Sequence, residues 1–269
     1  MSRIYALALN TFREAIRNKV VHGICFVVVG ANLFALVLGQ MSLHEEARVA
    51  LDVGLGAISL FGAATAIFLG VSLLYGEVQK KTIHTILSKP IERHEFVLGK
   101  YLGMAATLLL LVAVFAAVLA ALLLIARVSA ADSRIGWDDA VTKAVLLSAC
   151  EVLVVAATAV FFSAFSSPFL SGIFTFALFV LGRVTEDMRL AAEQSHSEVV
   201  KTLATLGSKI VPDLHLYAVS GTMALGKPVS VHGEFVSWSY VGQSTLHACA
   251  WIAFLLVSAS LVFRQRDFA

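Results

Sequence analysis

Charge is scarce in this chain: only 14% of its 269 residues are charged, 59% are hydrophobic, and the mean hydropathy is +0.86. Soluble domains carry about a quarter charged residues, so this composition belongs to a membrane protein. Cysteine is also sparse. Cys25, Cys150 and Cys249 all fall inside apolar runs, without the clustering or spacing of a disulfide framework or a zinc site, and they read as packing residues. No cleavable signal pattern opens the sequence, because the first long apolar run begins only near Val20. The first membrane helix is therefore expected to be retained.

Catalytic motifs are missing as well. The stretch Gly221–Pro228, GTMALGKP, matches the first seven places of a phosphate-binding loop, but Pro228 stands where a Ser or Thr must meet magnesium. Chance accounts for it better. The eight histidines form no H-E-x-x-H pattern, and His215 and His232 could share a metal only if folding brought them together. No G-x-S-x-G elbow is present. The chain thus reads as a non-enzyme with no catalytic residue, metal ligand or cofactor site of its own. A net charge of +2 is too small to point to nucleic acid.

What the sequence does have is apolar runs near the ~20 residues that a helix needs to cross a bilayer. Six are expected: Val20–Leu38, Gly54–Tyr75, Tyr101–Ala126, Ala144–Phe165, Phe169–Leu181 and Ser244–Phe263. Before them, Ile4–Arg17 predicts an amphipathic helix on the membrane surface. Ile4, Tyr5, Ala8, Leu9, Phe12, Ala15 and Ile16 share one face, and Arg3, Asn10, Arg13, Glu14 and Arg17 share the other. The fold class is all-α, a single polytopic domain over residues 1–269 with an N-terminal surface helix in 1–19.

Six spans put both termini on one side. Eleven of the 20 Lys and Arg lie on that side, in less sequence than the other nine occupy, which predicts cytoplasmic termini in a multi-pass protein of the cell inner membrane. Residues 76–100 are then a cytoplasmic hairpin and 184–243 an extracytoplasmic segment, with a helical pattern around Met188–Leu206. Phe235, Trp238 and Tyr240 near the end of that segment suit either an extracytoplasmic protein partner or an interfacial aromatic belt.

Two features inside the spans stand out. Gly62, Ala66 and Gly70 form a small-residue stripe that lets another helix approach closely, within the chain or across a dimer. Glu151 is the one carboxylate well inside a span, about two turns from its outer end. It could line a substrate path, pair with a basic residue such as Lys143, or stay protonated.

The hairpin is longer than a connector requires. Ile83, Ile86, Leu87, Ile91, Phe96 and Val97 give it apolar faces, and Pro90 divides it into two expected short helices. Its residues Glu77, Thr82, Leu87, Ser88, Lys89, Pro90, Ile91, Arg93, Phe96, Gly99, Lys100 and Gly103 resemble the pattern after the second membrane helix in permease subunits of type-two ATP-binding-cassette (ABC) exporters. The N-terminal helix resembles their elbow helix. Pro212–Tyr217 and Phe263–Phe268 resemble the segments flanking their last helix. The likeness covers the whole chain and is nearest to the branch with permeases of nitrous-oxide-reductase maturation and gliding motility. Lys81 departs from it, since many members carry Gly before the Thr.

The resemblance implies a permease that pairs with a second copy or a homologue in the lipid bilayer and docks a cytoplasmic ABC ATPase. ATP and magnesium would sit in that ATPase. It implies ATPase coupling through Glu77, Lys81, Thr82, Lys89, Pro90, Arg93 and Lys100. Two other readings remain at this level: a non-transporting complex that passes conformational change to outer partners, and an ion-coupled secondary transporter, for which Glu151 alone is thin support.

Overall fold

The computed structural model describes residues 2–41, 46–79, 93–130, 137–194, 207, 211–218, 223–224, 227–228 and 237–265. Eight helices run in order through them: α1 Ser2–Ile16, α2 Lys19–Met41, α3 Glu46–Gln79, α4 Arg93–Ala130, α5 Asp139–Ser163, α6 Pro168–Arg183, α7 Thr185–Gln194 and α8 Trp238–Gln265. A 3₁₀ turn covers Leu214–Tyr217. Met223–Ala224 pairs antiparallel with Lys227–Pro228. Within the phosphate-loop look-alike, Lys227 therefore lies on a paired strand, and residues 221–222 and 225–226 lie outside the described residues.

Four helical stretches among the described residues are long and apolar enough to cross a membrane: Leu51–Ser72, His94–Ile125, Asp139–Ser163 and Trp238–Phe263. Two further apolar helices, Lys19–Phe34 and Pro168–Arg183, are shorter. The helices overrun the expected spans because hydropathy marks only the section that lipid can cover, while a helix continues wherever nothing breaks it. α4, at 38 residues, is about 57 Å long, nearly twice the ~30 Å of a hydrocarbon core. Hence the separate short helix expected after Pro90 is not separate: from Arg93 it is the first part of α4, with no proline before Ala130. The expected junction at Lys89–Pro90 lies outside the described residues.

Local chemistry sets the other boundaries. Asp138 caps α5, its carboxylate accepting from the Val141 amide at 3.1 Å, and Pro168 opens α6, where its missing N–H costs nothing. α7 begins at Thr185, straight after α6 and ahead of the pattern expected from Met188. Residues 195–206 of that pattern lie outside the described residues.

α5 is the centre of the bundle. It packs along α3, running in the same direction, and is flanked by α4, α6 and α8. At one end gather α1, the start of α4 and the end of α8, where Phe96 stacks on Phe263 at 5.8 Å between centroids. The first and last helices therefore meet at the same end. At the other end the starts of α5 and α8 lie together, with Lys143 over the Trp238 ring at 5.1 Å.

The rotation of α1 differs from expectation. Thr11 and Ala15 are buried, with Ile4, Leu7 and Ala8 partly so, whereas Tyr5 is 69% exposed. α4 offers α1 two glycines, and the fit decides the rotation. A Cβ at Gly99 would meet Leu7 Cβ at 2.7 Å, and one at Gly103 would run into the Ala8 carbonyl oxygen. A polar residue, Thr11, is accepted on the packed face because close backbone approach matters more there than apolarity.

Candidate functional site

The small-residue stripe of α3 faces α5 within this chain. A Cβ at Gly62 would lie 2.6 Å from Val152 Cγ2, and one at Gly70 would overlap Ala159 Cβ; Ala66 is fully buried between them. Ser163 Oγ, from α5, donates to the Gly70 carbonyl at 3.2 Å. In lipid this close packing replaces the hydrophobic drive that water would supply. Gly70→Ala should cost about 1–3 kcal/mol by overpacking, while Gly56→Ala, whose Cβ meets nothing within 4 Å, should be neutral or stabilising. Thermal unfolding of the two variants in the same detergent checks the contrast.

This packing aligns Ser59 with Glu151. Glu151 is fully buried and lies at the middle of α5, twelve residues from either end, deeper than the sequence implied because α5 begins at Asp139. It does not pair with Lys143, which bonds Asp139 at 2.5 Å instead. Its partner is Arg183, the last residue of α6. Arg183 Nε donates to Glu151 Oε1 at 2.8 Å and Nη2 donates to Oε2 at 3.1 Å, a two-pronged fork. Ser59 Oγ donates to Oε2 at 2.5 Å and accepts from Arg183 Nη2. The Arg183 guanidinium also lies over the Phe179 ring at 5.7 Å. Three helices are thus tied by one charge-assisted network, with Arg183 rather than Lys143 as the basic partner of Glu151.

α6 spans only 16 residues, about 24 Å, so it runs beside little more than half of α5. The remaining space is taken by the 3₁₀ turn, which packs on α5 and on the end of α6; a Cβ at Gly182 would meet the Pro212 carbonyl at 2.7 Å. Non-helical backbone at such depth must have its polar groups satisfied. Asp213 accepts from the His215 amide at 3.2 Å and from Thr185 Oγ1 at 2.8 Å, and the Leu216 carbonyl accepts from Tyr240 Oη at 2.8 Å.

A directed chain then leads into α8. Trp251 Nε1 can only donate, so His247 Nε2 accepts it at 3.0 Å and the ring proton sits on Nδ1. Nδ1 donates to Tyr217 Oη at 3.1 Å, and Tyr217 donates to the Ser244 carbonyl at 3.3 Å. Part of the segment expected outside the membrane, residues 211–218, is therefore packed into the bundle.

The coupling residues divide. Lys81, Thr82, Lys89 and Pro90 lie outside the described residues; Glu77 lies in the last turn of α3 and Arg93 opens α4, but their side chains are likewise outside them. Lys100 is 2% exposed, 3.7 Å from Glu14 of α1 and 6.0 Å from the Phe96 ring centroid. It holds α1 to α4 and offers no open surface to a partner. Among the described residues no group of three or more His, Cys, Asp or Glu is placed to hold a metal ion.

Sequence reasoning missed Ser59 and Arg183. Arg183 was visible as the single cation closing the fifth apolar run, the one feature that could have suggested it as partner to a buried acid.

No curated protein matches the chain. A family model described as "ABC-2 family transporter protein" matches residues 5–268, nearly the whole sequence. The chain therefore belongs to the ABC-2 transporter family, as a multi-pass membrane permease subunit of the kind that works with a cytoplasmic ABC ATPase.

Proposed function

We propose that this permease spans the inner membrane six times, counting α2 and α6 with the four longer spans, and exports its cargo using ATP hydrolysed by separate subunits. The observation that carries this reading is the gathering of α1, the start of α4 and the end of α8 at one end of the bundle. That is the end from which residues 80–92 lead between α3 and α4, and the one that basic residues favour as cytoplasmic. An ATPase closing against Glu77, Lys81, Thr82, Lys89, Pro90 and Arg93 would push along α3 and α4. Lys100 would pass the movement to α1, and the α3–α5 contact would pass it to the Glu151–Arg183–Ser59 network.

A second copy of the chain or a homologue would complete the complex. Lipid-facing surface is abundant, with Phe26, Phe169 and Leu246 all more than 70% exposed, and the cargo is read as hydrophobic. Nothing in α5 or α6 beyond the one ion pair favours an ion-coupled carrier, in which intramembrane charges would be expected to exchange protons or cations. The branch near nitrous-oxide-reductase maturation and gliding motility remains the nearest likeness in the sequence, and an outer partner protein suits the segment before α8.

The test is reconstitution of the chain with its ATPase subunit in vesicles. Vanadate, which traps ABC ATPases, should stop efflux of a hydrophobic cargo at least tenfold. Vanadate-sensitive ATP hydrolysis with no cargo moved would favour force transmission to an outer partner, and transport that persists without the ATPase would sink the reading.

A further inference from the structure

The rotation of α1 leaves it with three sectors. At 100° per residue, Thr11, Ala15, Ile4, Leu7 and Ala8 cluster roughly on one side and are taken up by α4. Tyr5, Leu9, Phe12 and Ile16 form a second apolar strip on the side away from α4: Tyr5 is 69% exposed and the other three are partly exposed. Arg13 and Arg17, one turn apart and both exposed, border this strip, and exposed Lys19 follows at the start of α2. No carboxylate among the described residues pairs with Arg13, Arg17 or Lys19. The nearest candidate on the helix, Glu14, lies on the α4 side, 3.7 Å from Lys100.

A partly exposed apolar strip bordered by cations that pair with no carboxylate among the described residues matches the cross-section of a lipid leaflet. The strip suits acyl chains, and the guanidinium groups, which grip phosphate oxygens in pairs, fall at headgroup level. We infer that Arg13, Arg17 and Lys19, with the strip Tyr5–Leu9–Phe12–Ile16, bind the phosphate headgroups of anionic lipids in the leaflet at this end of the bundle. A protein partner would need its own matching apolar face and anions, whereas a leaflet presents both along the whole length of the helix. Because α1 is locked to α4 through Gly99, Gly103 and Lys100, headgroup binding also fixes the height of α4 in the bilayer. This inference rests on the membrane-permease reading and adds to it the class of lipid held at this end of the bundle.

The probes are phosphatidylglycerol and phosphatidylcholine, each titrated into the purified full chain in neutral detergent and counted by native mass spectrometry. The wild type should retain phosphatidylglycerol on the order of tenfold more tightly, and 0.5 M salt should erase the difference. The combined variant Arg13→Gln, Arg17→Gln, Lys19→Gln should keep the wild-type thermal midpoint in lipid-free detergent yet lose the preference. Absence of a preference in the wild type overturns the inference, as does its survival in the variant. A variant that keeps the preference but loses a co-purified ATPase would make this surface a protein contact. A wild type that co-purifies with the ATPase but shows no lipid preference refutes the lipid inference and leaves the transporter reading intact.

Discussion

Arg183→Ala should be among the most damaging single substitutions in the described bundle, lowering unfolding stability by about 3 kcal/mol or more. The reason is asymmetry of burial. Glu151 is fully enclosed, whereas the Arg183 side chain is 34% exposed. Removing the cation strands a buried carboxylate with only Ser59 to donate to it. Removing the anion strands a cation that is already a third exposed and still lies over the Phe179 ring. Glu151→Gln, which keeps a hydrogen-bonding group for Ser59 and an oxygen for the guanidinium, should cost only about 1 kcal/mol. Glu151→Leu combined with Arg183→Leu should recover most of the loss, because no charge remains to be solvated. Unfolding in mixed micelles of the three variants tests the set. Arg183→Ala at wild-type stability, or a double variant no better than Arg183→Ala, would show that the pair is not the clamp described.

The second large effect concerns coupling. Reversing Arg93 or Glu77, or replacing Pro90, should leave the thermal midpoint near wild type while ATP-driven transport falls about tenfold, a coupling loss of about 1.4 kcal/mol. ATP hydrolysis should continue. These residues carry the resemblance to ABC permeases, and Glu77 lies in the last turn of α3 while Arg93 opens α4, the two longest helices among the described residues. Long unbroken helices are suited to carry a push from that end into the α3–α5 contact. Transport and hydrolysis falling together would mean lost assembly, and unchanged transport would remove the hairpin from the mechanism.

The sequence disclosed the helices better than their faces. Apolar runs near 20 residues marked the spans, and Gly62, Ala66 and Gly70 stood out as a packing stripe from their spacing alone. Their partner could not be read, since helix rotation about the bundle depends on all neighbours at once. Glu151 was conspicuous as a charge in an apolar run, but its partners are 32 and 92 residues away. The nearby cation, Lys143, sits two turns back on the same helix, about 12 Å along the axis, too far for a direct bond. It takes the four-residue spacing to Asp139 instead. α1 was legible as amphipathic, yet its buried face includes Thr11 and excludes Tyr5, because Gly99 and Gly103 select for backbone proximity. The short α6 was legible as the apolar run Phe169–Leu181, but the inward 3₁₀ turn beside it was not, because Asp213, Thr185, Tyr217 and His247 become a network only once folded.

In the proposed arrangement the end of the bundle holding α1, the end of α3 and the start of α4 faces the ATPase. A photoreactive amino acid placed at Lys89 in one variant and at Trp137, at the far end, in another tests this directly in native membranes. An ATP-sensitive adduct with a cytoplasmic ATPase is expected from position 89 and none from position 137. An ATPase adduct from position 137, with none from 89, would contradict both the orientation and the coupling mechanism.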